Sequence, residues 1–109
     1  MKIILASLLL FMSFSSDAMT GNELYEAFNE SEKEPITLYA EAGKYQGYVL
    51  GVIDVYVHVG LLCWGGGVTK GQVFDVVGKY LKSNPEFRHE IASRLIFLVL
   101  YDLYPCKKL

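Results

Sequence analysis

Two cysteines and two histidines are the side chains of this 109-residue chain from which nucleophilic or metal chemistry could be built. Cys63 opens the passage Cys-Trp-Gly-Gly-Gly-Val-Thr-Lys-Gly-Gln (63–72), which also holds the only tryptophan, Trp64. A phosphate cradle needs Gly-x-x-x-x-Gly-Lys-Ser/Thr after a strand, so that backbone amides wrap the phosphates. Here Thr69 comes before Lys70, Gly71 comes after it, and no βαβ pattern surrounds them. A cysteine nucleophile needs a base and a thiolate that stays reduced. His58 lies five residues before Cys63 on the same predicted helix, and His89 lies in the last one, followed by Glu90. A thiol hydrolase using Cys63 and His89 is therefore the enzymatic alternative, at the expense of leaving Cys106 unpaired. Two histidines without paired spacing make a weak metal-ligand set, so no metal or other cofactor is expected. Asp54 stands alone on an otherwise apolar helix. With no second carboxylate at fixed spacing, its expected role is capping or pairing with a buried donor rather than acid–base catalysis.

The compartment decides how the cysteines behave. Residues 1–20 read MKIILASLLLFMSFSSDAMT: a lysine, an apolar run from Ile3 to Met12, then Ser16-Asp17-Ala18. This is the layout of a secretory signal peptide over residues 1–18, cleaved after Ala18. The run is too short for a comfortable membrane span. No cysteine follows it, which excludes lipidation there. In an oxidising compartment an isolated cysteine pair in a small domain is most simply a disulfide. Cys63–Cys106 would close a loop of about 44 residues, worth roughly 4 kcal/mol in the chain-entropy model. For a domain confined to residues 19–109 that is a large share of the expected stability.

Net charge is −2 before and after cleavage, too little for a protein that binds nucleic acid by neutralising phosphates. The balance is uneven: residues 19–41 hold six Glu and one Lys, whereas residues 42–109 carry a surplus of three positive charges. The acidic end, with Glu32 and Glu34 in a polar 29–37 loop, could meet a basic partner.

The elements that position these residues read as helices. Thr20-Gly-Asn-Glu23 and Thr69-Lys-Gly-Gln72 have capping-box spacing. The first should start a short helix carrying Leu24, Ala27 and Phe28; the second a helix carrying Val73, Val76, Val77, Tyr80 and Leu81 to about Ser83. Between them, Leu38, Ala42, Tyr45, Val49, Val52, Tyr56 and Val59 recur at steps of four and three, a long helical stripe with Thr37 as its cap. Six β-branched residues between Val49 and Val59 argue for strand, but the length of the stripe favours helix. Gly43, Gly47 and Gly51 form a second stripe. Each glycine weakens a helix by about 1 kcal/mol, so close packing of another helix is expected there. Asn84-Pro85 should start the last helix, with proline at its first position. Its apolar residues, among them Phe87, Ile91, Leu95 and Leu98, suggest a central helix buried on several sides, stopped by Pro105. The fold class is all-α: a small bundle of four to five helices stapled by one disulfide, behind a signal peptide. The glycines after Cys63 then serve as a joint between two helices, and Trp64 either plugs the core or anchors a contact.

Taken in order, Gly47-Tyr-Val-Leu-Gly51-Val-Ile-Asp54, Cys63, Gly67-Val-Thr69, Gln72, Val76-Val77, Tyr80-Leu81, Asn84-Pro85-Glu86, His89, Ala92 and Tyr104-Pro-Cys106 resemble the Rap/Tai family of type VI secretion immunity proteins. The resemblance covers about residues 43 to 106, and departs from the family where Trp-Gly-Gly-Gly stands in place of a segment that commonly holds a proline. It implies an exported, all-helical and often dimeric domain over residues 19–109 that is not catalytic. Such a protein works in the bacterial periplasm, without nucleic acid or membrane partners. There it blocks the active site of a cognate peptidoglycan amidase toxin. The elements expected to reach that toxin are the 63–69 loop, with Trp64, Gly65, Gly66 and Gly67, and the loop holding Glu32 and Glu34. The remaining alternative is a non-inhibitory helical binding module, with the glycine stripe packing a homodimer.

Overall fold

The computed structural model describes residues 18–106, so the signal-peptide reading falls almost wholly outside the described residues. The elements are α1 (Gly21–Ser31), α2 (Tyr39–His58), α3 (Lys70–Ser83), a single 3-10 turn (Pro85–Phe87) and α4 (Ala92–Leu103). Among the described residues there is no strand beyond two isolated antiparallel bridges, Thr20 with Ile91 and Leu62 with Pro105. The helix expected over the valine-rich stretch is present, as is the all-α class. No helix of the described residues is long and apolar enough to cross a membrane.

Both capping boxes form. Thr20 Oγ1 accepts from the Glu23 amide at 3.2 Å, and Thr69 Oγ1 from the Gln72 amide at 3.1 Å. The start of α1 needs more than its cap, because a helix begins with several unpaired amides. Here Gly21 and Asn22 donate to the carbonyls of Glu90 and Arg88, at 2.8 and 2.7 Å. The Ala92 amide, first in α4, donates back to the Met19 carbonyl at 2.8 Å. This exchange revises the expected last helix. The chain turns through Arg88 to Glu90 and is extended only at Ile91, which bridges Thr20 at the start of α1, so α4 begins at Ala92, seven residues after Pro85. His89 consequently lies in a turn and not on a helix.

The core is one cluster contributed by all four helices. Leu24 and Ala27 come from α1; Tyr45, Val49 and Ile53 from α2; Val73, Val77 and Leu81 from α3; Leu95, Ile96 and Leu100 from α4. Leu62 joins them from the segment after α2, only 1% exposed. α4 is not buried on several sides as expected: Leu98, Tyr101 and Leu103 face outward. Nor is Thr37 a cap. Leu38 occupies the N-cap position of α2, with no side-chain hydrogen bond.

The glycines also depart from expectation. A Cβ at Gly43, Gly47 or Gly51 would meet nothing within 4 Å, so among the described residues no other helix packs on the stripe. Helical periodicity puts it on the face of α2 opposite Tyr45 and Val49, which turn inward to the core. The close approaches occur at Gly21 and Gly78. A Cβ on Gly21 would sit 2.9 Å from the backbone of Arg88, and one on Gly78 would enter the Phe28 ring, 2.1 Å from Cε1.

Candidate partner-binding site

The passage around Cys63 forms a corner between α2 and α3. Its reversal starts earlier than the three consecutive glycines, at Gly60, whose φ of +81° suits glycine. The Gly60 amide donates to Val57 O at 3.1 Å and the Leu61 amide to Tyr56 O at 2.9 Å. Those two bonds are the pattern of a Schellman C-cap, which satisfies the last carbonyls of α2. Leu62 then drops into the core, and the Cys63 amide donates to Tyr104 O at 3.0 Å. Cys63 and Cys106 are joined, with Cα atoms 4.8 Å apart. The expected pairing and the expected joint are thus one structure. Gly67, with φ +93°, makes the second left-handed step before Thr69 caps α3.

This bond removes the enzymatic alternative. Neither sulfur is free, so Cys63 offers no thiolate for His89 to activate. Among the described residues no group of three or more His, Cys, Asp or Glu could hold a metal ion.

Trp64 does not plug the core. It remains 36% exposed, and its ring meets Tyr104 edge-on at a centroid distance of 4.9 Å. Beneath it lies a cleft of about 270 Å³ between α2, the corner and the first turns of α3. Ile53 and Val73 are its buried floor, Leu50 and Val68 its half-buried walls, and Trp64, Asp54, Thr69 and Lys70 its exposed rim. Asp54 is therefore neither a helix cap nor a buried partner, but a carboxylate at the mouth of an apolar cleft. It makes no ion pair with Lys70 across that mouth. Sequence reasoning had Asp54, Trp64 and Lys70 in hand but not their meeting. Leu50 and Val68, one on each side of the corner, carry no signal that would have joined them.

The acidic loop lies elsewhere. Glu32 and Glu34 are exposed in the segment that precedes α2, whereas Trp64 follows α2. A helix of 20 residues separates them, about 30 Å at 1.5 Å per residue. Glu32 lines a different and more polar cavity of about 350 Å³, with Tyr25, Phe28, Asn29, Asp75, Lys79 and Lys82. The two loops named from sequence are consequently not one surface. Gly65 and Gly66 are exposed in the corner with open space around them.

No curated protein and no solved structure matches the chain significantly. A family model does, that of the Rap1a immunity proteins, over residues 20–106. That span contains all four helices, both capping boxes, the corner and its disulfide, and the chain belongs to the Rap1a immunity protein family.

Proposed function

We propose that the chain protects its producing cell by binding and inhibiting a peptidoglycan amidase delivered by a type VI secretion system. Membership of an immunity family supports action against a secreted effector, and the family is generally not enzymatic. The amidase and the periplasm are our reading, supported by the leader-like first 18 residues and by a disulfide that suits an oxidising compartment. The observation that carries it furthest is the corner itself. A half-exposed tryptophan stands on a segment tied to the chain's end by a disulfide and a main-chain hydrogen bond, so an inserted element would lose little freedom on binding. In this reading Trp64 and Gly65 to Gly67 form the main contact, and Glu32 and Glu34 contribute long-range attraction at most.

The test is survival. Each amidase effector of the producing strain, directed to the periplasm, is co-produced with the full chain and with a chain lacking residues 1–18. Rescue by the first and not the second is expected. Lysis by every amidase despite the exported chain would refute the target and leave immunity to some other effector.

A homodimer is the second part of the reading. The open glycine stripe on α2 supports it, since three exposed helix glycines weaken the helix with nothing packed on them among the described residues. Gly47→Leu should convert a dimer to a monomer in light scattering; an unchanged mass would remove the stripe from any interface.

A further inference from the structure

We infer that the cleft under Trp64 is a receptor: it takes one apolar side chain from the effector, flanked there by a basic group facing Asp54 and an acidic group facing Lys70. The inference rests on the proposed function and adds to it the pocket that receives the partner. The graded exposure of the lining carries it. Ile53 and Val73 at the bottom are apolar and buried, Leu50 and Val68 are half-covered, and every charged group sits at the mouth. An apolar floor ringed by polar groups is the anatomy of an interface hot spot, where a single anchor is desolvated and the rim excludes water. The volume of about 270 Å³ is on the scale of one large side chain rather than a drug-sized ligand.

Charge decides the flanks. Asp54 and Lys70 line the same cleft without an ion pair to each other, so both can face charges on a partner. Opposite charges would pair across the interface, whereas a partner with the pattern reversed would meet like charges on both sides. The cleft also adjoins the corner, whose position is held by the Schellman cap, by Leu62 in the core and by the disulfide. Its shape is therefore set before the partner arrives, which lowers the entropic cost of binding.

Trp64 is the only tryptophan in the chain, so its emission reports on this cleft alone in the free protein. The probe is the amidase identified by the survival test, added to the oxidised chain. For the intact chain, acrylamide quenching of Trp64 should fall on binding; selective labelling of Trp64 with 5-fluorotryptophan separates its signal from that of the amidase. Val68→Phe, which puts a ring into the cleft from an exposed-side wall, should weaken binding at least about tenfold while helical content and the disulfide persist. Asp54→Lys should weaken it by a similar factor. The Asp54→Lys, Lys70→Glu pair should not restore it, because the partner's flanks then face like charges on both sides. Unchanged affinity in Val68→Phe, or a Trp64 environment unmoved at saturating amidase, would overturn the inference even if the amidase is inhibited. Quenching of Trp64 that falls with chain concentration alone would assign the cleft to a second copy and overturn it as well. No binding to any amidase would bring down the proposed function and this inference with it.

Discussion

Among the described residues, Tyr45 is the only aromatic side chain of the buried core. Its hydroxyl, the one polar group placed at depth there, donates to the Phe74 carbonyl at 2.5 Å. Burial raises its pKa well above the ordinary phenol value, and the nearby charges of Asp75 and Glu32 add to the rise, partly offset by the Gly78 amide. The sign of the pH effect follows. Above about pH 10 the unfolded chain loses this proton while the folded chain keeps it, so stability falls as pH rises, by up to about 1.4 kcal/mol per pH unit. Below that range the group contributes no pH dependence. Tyr45→Phe should flatten this alkaline limb in urea-melt series from pH 9 to 11, and lower stability at pH 7 by about 1 kcal/mol through the lost hydrogen bond. An alkaline slope identical to that of the intact chain would show that Tyr45 does not cause it. At this scale the sequence was only partly legible. Tyr45 belonged to a recognisable stripe, but its hydroxyl's partner comes from α3, 29 residues on, and no local pattern records that pairing.

Helices obey the spacing rules that sequence displays, and they follow them here until tertiary contacts intervene. The capping boxes at Thr20 and Thr69 were legible because cap and responder lie three residues apart. The start of α4 was not, because it is set by hydrogen bonds to Met19, Gly21 and Asn22, some 70 residues away. Glycine gave the most misleading signal. The regular Gly43-Gly47-Gly51 stripe stands in open space, while the isolated Gly78 meets Phe28 of α1. Two substitutions therefore act oppositely. Gly78→Ala forces the Phe28 ring to move and should destabilise by about 1–3 kcal/mol in chemical denaturation. Gly47→Ala adds a methyl where nothing obstructs it and should stabilise the monomer by about 0.5–1 kcal/mol. Equal effects of the same sign would contradict this division between packed and open glycines.

For the molecule as a whole, one covalent link holds the corner after α2. Cys63 and Cys106 are 43 residues apart, and the loop between them contains α3 and α4 entire. Cys106→Ser should lower stability by up to about 4 kcal/mol, the chain-entropy value for such a loop, read as a fall in the urea midpoint. It should also release the corner before the core, because Tyr104 and Pro105 hold the segment after α2 from the chain's end. A midpoint shift with no change in Trp64 quenching would separate the staple from the corner and count against this order of events. The pairing itself was legible from the cysteine count and the leader-like composition of the first 18 residues. The cleft it braces was not, since its floor and rim come from two separate stretches of chain, 50–54 and 64–73.

The most direct test of the central claim is a titration of the amidase proposed as its target with the oxidised chain over residues 19–109, following release of peptide from purified peptidoglycan. The account predicts that activity falls linearly to near zero at one equivalent, and that Trp64→Ala requires at least about tenfold more protein for the same loss. Full amidase activity at saturating chain, or inhibition untouched by Trp64→Ala, would contradict it.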